Sequence, residues 1–71
     1  MRKASDLNAL VAPVVPGDII QSGDDYFLCT TNMRGKWTVA RLDGNCWQIE
    51  DENVDGQIAL VGWLESRQGS H

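Results

Sequence analysis

Histidine is nearly missing from this 71-residue chain, its one example being the last residue, His71. The end Gly69-Ser70-His71 reads as a cloning scar leading into a histidine tag, and scars do not inform the fold. On that expectation the native chain contains no histidine, which removes the commonest general base and metal ligand. Cysteine is limited to Cys29 and Cys46, 17 positions apart. Zinc asks for about four Cys, His or carboxylate ligands, usually with a closely spaced pair, and this spacing provides none. A secreted domain of this size usually carries several disulfides. The two Cys therefore read as buried small hydrophobes in preference to a disulfide pair. Arg2 and Lys3 give a basic start, but the segment Leu7 to Val15 is broken by Asn8 and Pro13, and Pro16 follows it. No run approaches the ~20 apolar residues that span a bilayer. The expectation is a cytoplasmic protein with no membrane partner.

Positive charge is also scarce: six Lys and Arg stand against ten Asp and Glu, for a formal charge of -4 and a pI of about 4.6. Non-specific affinity for phosphate comes from accumulated Lys and Arg, so nucleic acid ranks below another protein as a partner. Ser5, Ser22, Ser66 and Ser70 lie in polar turns or termini with no histidine to activate them. The seven glycines are scattered singly and make no phosphate loop. Asp24-Asp25 and the group Glu50, Asp51, Glu52 and Asp55 lack the calcium-loop spacing and read as solvated acids. No enzyme and no cofactor are expected.

What is present is a strand rhythm. Residues 1–12 read as a short helix or arm with Leu7, Leu10 and Val11 on one face, ended by Pro13 and Pro16. Five strand candidates follow: Gly17 to Gln21, Tyr26 to Thr31, Lys36 to Leu42, Asn45 to Glu50, and Gln57 to Leu64. Turn clusters separate them, and Asp43-Gly44 reads as the centre of a type I′ hairpin, with Asp51 to Gly56 as an acidic loop. Five short strands at spacings of roughly ten residues suggest a mainly β fold, a small antiparallel SH3-like barrel or meander, since closure removes sheet edges. The division expected is an N-terminal helical arm over 1–15, a small β-barrel over 16–65, and a polar tail with tag remnant over 66–71. Alternation supplies a core of Ile19, Leu28, Val39, Trp47, Ile49, Ile58 and Leu60, with the reservation that a one-residue slip exchanges the two faces.

The run PGDII…YFLCTT…GKWTVARLDGN…IALVGWL is similar in rhythm to the C-terminal β-rich domain of LexA-type self-cleaving repressors. A "GD" strand, a "V-K-R-L" strand and a closing "V-G" strand recur in that family. The resemblance covers about the last two-thirds of the chain and rests on short motifs. It puts Ala40 where the family has its catalytic lysine, and the family's serine would lie upstream, where this chain has only its arm. What the resemblance implies is a relative without protease activity, one that binds.

Two surfaces stand out. Trp37 and Trp63 fall near strand ends, and with Tyr26 they form a set of candidate aromatic anchors, although large side chains also plug the ends of small barrels. Arg34, Lys36 and Arg41 concentrate half of the basic residues around Trp37, the composition of a modest single-strand nucleic-acid platform. Glu50, Asp51 and Glu52 form an acidic counterpart elsewhere in the chain. Three function classes follow in this order: a non-catalytic protein-binding module using an aromatic and charged surface; an acidic inhibitor or antirepressor-like protein, of the kind phages and other mobile elements encode, that blocks a basic site on a host protein; and a single-stranded nucleic-acid-binding barrel. The polarised charge also admits a second copy of the chain as partner.

Overall fold

The computed structural model describes residues 1–68. It is mainly β, with five strands in one sheet and a single C-terminal helix. The strands are β1 (Arg2–Lys3), β2 (Asp18–Ser22), β3 (Asp25–Thr31), β4 (Trp37–Asp43) and β5 (Cys46–Val54), and the helix is α1 (Gln57–Ser66). Sheet order follows chain order. β1 runs parallel to β2 and every other neighbouring pair is antiparallel. The two outer strands do not pair, so the sheet is mixed and open and the expected SH3-like barrel is corrected.

Local chemistry explains the three antiparallel hairpins. Tyr26 to Thr31 is rich in aromatic and β-branched side chains that suit a pleated surface. The β2–β3 and β4–β5 connections are two-residue loops, Gly23-Asp24 and Gly44-Asn45, closed by the pairs Ser22↔Asp25 and Asp43↔Cys46. Gly23 and Gly44 have φ of 62° and 63°, whereas Asp24 and Asn45 do not have positive φ. A glycine with positive φ at the first central position and not at the second is the type II′ pattern. The type I′ hairpin expected at Asp43-Gly44 is thus replaced by a type II′ turn one residue later. The β3–β4 loop is organised by Asn32, whose side chain accepts from the N–H groups of Arg34 and Lys36 at 3.0 and 3.2 Å. The same side chain donates to Thr38 Oγ1 and to the Glu52 carbonyl at 3.1 and 2.8 Å, tying the loop to β5.

Two segments depart from expectation. Gln57 to Leu64, read as a closing strand, is helical. Gln57, Leu60, Val61 and Leu64 recur at i, i+3, i+4 and i+7, and the last three are buried against the sheet. Short apolar runs with β-branched residues do not discriminate helix from strand by themselves. Val61-Gly62, the closing "V-G" of the repressor resemblance, consequently lies in a helix. Residues 1–12 are not an α-helix either: β1 is followed by a 3-10 turn (Ala4–Asp6) and a tight turn closed by the Ala12 N–H donating to the Asn8 carbonyl at 2.8 Å. Arg2 holds this segment down. Its guanidinium donates to the carbonyls of Ala12 and Pro13 and to Asp18 Oδ2, the last at 3.1 Å.

The core lies between one face of the sheet and α1. It joins Ile20, Phe27, Cys29, Trp37, Val39 and Val54 of the sheet to Leu60, Val61 and Leu64 of the helix, with Ala4, Leu7 and Val14 closing the side. Val39 and Leu60 are core as expected. Ile19, Trp47, Ile49 and Ile58 are exposed and Leu28 is half-buried, so those core assignments are corrected. In β2 and β3 the error is a one-residue slip: Ile20, Phe27 and Cys29 point to the helix, in place of Ile19 and Leu28.

The helix is fixed at both ends by side chains far away in sequence. Gln57 donates from Nε2 to the Val14 carbonyl at 2.6 Å and accepts from the Val14 N–H at 2.9 Å, pairing with that residue as a neighbouring strand would. The buried Ser22 hydroxyl donates to the Leu64 carbonyl near the other end. Between them, Phe27 and Trp63 meet edge to face, centroids 5.2 Å apart and planes at 85°. The Arg67 guanidinium lies 4.0 Å from the Trp63 ring centroid, a cation–π contact. Among the described residues, every buried side-chain nitrogen or oxygen has a hydrogen-bond partner.

Candidate functional site

The face of the sheet turned away from α1 carries apolar side chains, and among the described residues no other element packs over it. Strand register sets them in cross-strand rows. The pairs Ile19↔Leu28, Leu28↔Ala40 and Ala40↔Ile49 make one row across four strands. The second begins with Gln21↔Tyr26 and ends with Leu42↔Trp47, Tyr26 and Leu42 lying abreast one step beyond the Phe27↔Arg41 pair. With strands about 4.8 Å apart, the rows run about 14 Å across the sheet. Ile19, Trp47 and Ile49 are 38%, 39% and 61% exposed. Tyr26, Leu28 and Leu42 are half-buried by their neighbours. Single exposed apolar residues are ordinary, whereas a contiguous set on one face makes that face the candidate surface.

This face ends at a free edge. β5 is the last strand of the sheet, nine residues long and exposed along most of its length. From Cys46 to Ile49 it pairs regularly with β4; beyond that it carries two extra residues, between the pairs Ala40↔Ile49 and Val39↔Asp51 and between Val39↔Asp51 and Trp37↔Val54. Such bulges bend a strand and interrupt its ladder. Glu50, Asp51 and Glu52 sit in this bulged stretch, which corrects the reading of 51–56 as a loop: 51–54 belong to β5, and only Asp55 and Gly56 connect it to α1. Glu50 Oε1 accepts from Arg41 Nε at 3.0 Å, and that hydrogen bond raises the Arg41 pKa above its ordinary value. Asp51 Oδ1 accepts from the Asn53 N–H at 2.8 Å.

The other candidate residues are dispersed. Trp37 is 7% exposed and packs in the core opposite Val54, so its reading as a surface anchor is corrected: its position on β4 faces the helix side. Trp63 is held between Phe27 and Arg67. Of the aromatic set only Tyr26 lies on the open face, where Trp47, read as core, joins it. The basic residues do not form a stripe. Arg34 and Lys36 lie in the β3–β4 loop, whereas Arg41 lies four residues along β4 from Trp37, about 13 Å away. Arg41 is moreover paired with Glu50.

The two thiols differ in reactivity. Cys29 is buried in the core and its pKa is pushed up to about 12, first by desolvation and second by the nearby Asp18 charge. It is an unreactive thiol at neutral pH. Cys46 is exposed and free at the start of β5. A polar cavity of about 260 Å³ opens beside β1, lined by Lys3, Ser5, Gln21 and Gln68 among others. Among the described residues no three His, Cys, Asp or Glu side chains gather where they could hold a metal ion. No helix among them is long and apolar enough to cross a membrane. The chain matches no protein-family model, no curated protein and no solved structure.

The open face offered two signals in the sequence. Consecutive apolar residues at Ile19-Ile20 and Phe27-Leu28-Cys29 mean that both faces of β2 and β3 carry apolar groups. A two-layer fold with one helix can cover only one of those faces.

Proposed function

We propose that this chain is a small non-catalytic protein-binding module that holds its partner on the uncovered face of the sheet. The observation that carries the reading is the pair of cross-strand apolar rows, Ile19–Leu28–Ala40–Ile49 and, beyond the polar Gln21, Tyr26–Leu42–Trp47. Tyr26 and Trp47 are the aromatic anchors, each offering large contact area at little entropic cost. The two free thiols support a reducing, cytoplasmic setting.

The test compares the chain with its Tyr26→Ser and Ile49→Lys variants in capture of partners from its native host, alongside thermal melts. The reading expects both variants to melt as the parent does and to lose the captured protein. Capture that persists in both variants removes the open face as the site.

A second reading, the acidic inhibitor that blocks a basic site on a host protein, is favoured by the place of Glu50, Asp51 and Glu52 on a sheet edge. It expects the triple variant Glu50→Gln, Asp51→Asn, Glu52→Gln to lose inhibition chiefly through a slower association rate. An unchanged rate counts against it.

A further inference from the structure

The free edge of β5 and the open apolar face meet along one line, and together they specify a partner more closely than either does alone. The Asp43↔Cys46 pair closes a two-residue hairpin, which makes it a hydrogen-bonded pair of the ladder. Alternation then makes Arg41↔Gln48 the next hydrogen-bonded pair. Trp47 and Ile49, opposite Leu42 and Ala40, are in non-hydrogen-bonded positions. Their backbone N–H and C=O groups therefore point away from β4, toward the open edge. Their side chains stand at the border of the apolar face. A strand laid along this edge finds backbone partners at Trp47 and Ile49 and an apolar neighbour on the same face.

The charge along the edge decides which strand. A second copy paired parallel and in register through β5 would set Glu50, Asp51 and Glu52 beside the same three residues, and like charges there oppose pairing; paired antiparallel about Gln48, it would set each acidic group against Gly44 to Cys46, which carry no positive charge. A strand with Lys or Arg meets complementary charge from Asp51 and Glu52, and from Glu50 beside its Arg41 partner, on a chain whose net charge is -4. We propose that β5 accepts an extended segment of another protein, with basic residues alternating with apolar ones, as a sixth strand of the sheet. The apolar residues of that segment continue the Ile49 and Trp47 rows, and its basic residues lie on the side of Gln48 and Glu50. The inference rests on the protein-binding reading above and adds to it the edge, the strand conformation and the charge of the partner.

The experiment titrates isotope-labelled chain with a short synthetic peptide of alternating Lys and Val, following backbone amide resonances. Binding is expected to shift the amides of Trp47 to Glu52 most. An alternating Glu and Val peptide is expected not to bind. Methylating the peptide nitrogens of alternate residues should abolish binding in one set only: the Val set for an antiparallel strand, the Lys set for a parallel one. The variant Glu50→Gln, Asp51→Asn, Glu52→Gln should weaken binding about tenfold at low salt. Binding that survives both methylated sets, or that ignores the three acids, overturns the proposal. So does concentration-dependent dimerisation of the chain itself through β5, read by sedimentation and by broadening of the same amides. The protein-binding reading fails separately. Failure of every peptide to bind while Tyr26→Ser still loses capture removes the edge strand and leaves the open face standing. Peptide binding at β5 with capture untouched by Tyr26→Ser or Ile49→Lys removes the open face instead.

Discussion

The two faces of this sheet are built from neighbouring residues of the same strands and meet different fates. On one, Ile20, Phe27, Cys29 and Val39 lie under α1 at almost no exposure; on the other, Ile19 and Ile49 are exposed, Leu28 is half-buried and the small Ala40 between them is 8% exposed. Their chemistry is similar. What separates them is the helix, which Gln57 and Ser22 fasten over one face and which, among the described residues, has no counterpart over the other. Apolar groups of the first kind stabilise the fold. Those of the second kind that stay exposed contribute less to it, and under the proposed reading their burial energy is left for a partner.

The comparison breaks most sharply at Phe27. Phe27→Ala should cost about 3–5 kcal/mol, since it removes a fully buried ring and the edge contact with Trp63. Domains are stable by only about 5–15 kcal/mol in total, so denaturant titration should find this variant close to unfolded. Gln57→Ala tests the fastening of the helix. It leaves the Val14 N–H and carbonyl without their partner and should cost about 1–3 kcal/mol by the same titration. A shift below that range would mean that water replaces Gln57 at little cost.

Strengthening the helix sharpens the same contrast. Gly62 lies in the interior of α1, exposed, with open space where a Cβ would stand. Gly62→Ala should stabilise the fold by about 0.5–1 kcal/mol, read as a raised melting temperature. On the open face, Ile49→Ala should change stability by no more than about 0.5 kcal/mol while still weakening partner capture. A larger loss would place Ile49 in the core energetics.

Cys29 reports on the covered face through pH. Its pKa stands at about 12 in the fold, against an ordinary value of 9.0. A raised folded pKa contributes stability that is complete below pH 9 and is lost as pH climbs toward 12. Chemical denaturation between these limits should show a slope that Cys29→Ala removes, and a slope common to both proteins would assign it to other groups. At neutral pH a thiol reagent should label Cys46 at once and Cys29 only as fast as the chain opens.

Reading β2, β3 and β4 from residue types alone places them within a residue of their ends, because turns and strand propensity are local. Gly23 and Gly44 do what glycine uniquely does at positive φ, and Tyr26 to Thr31 is strand-forming wherever it stands. Gln57 to Leu64 is different. Ile58, Val61 and Trp63 suit a strand, and its helical state becomes evident once Leu60, Val61 and Leu64 are seen to share a buried side. Trp37 and Trp47 exchange roles between expectation and structure for a related reason. Alternation says that residues two apart share a face, but not which face the helix takes.

The sequence by itself settles a mainly β chain, acidic, punctuated by glycine turns and ordered as successive hairpins from about Asp18 to Glu50. These follow from side-chain shape, backbone freedom and charge, which act over a few residues. The tertiary structure alone decides that the sheet stays open, that α1 covers Phe27 and leaves Ile49 bare, and that Glu50, Asp51 and Glu52 stand on a free edge. Those outcomes depend on contacts such as Gln57 with Val14, 43 positions apart, whose partners no local pattern names.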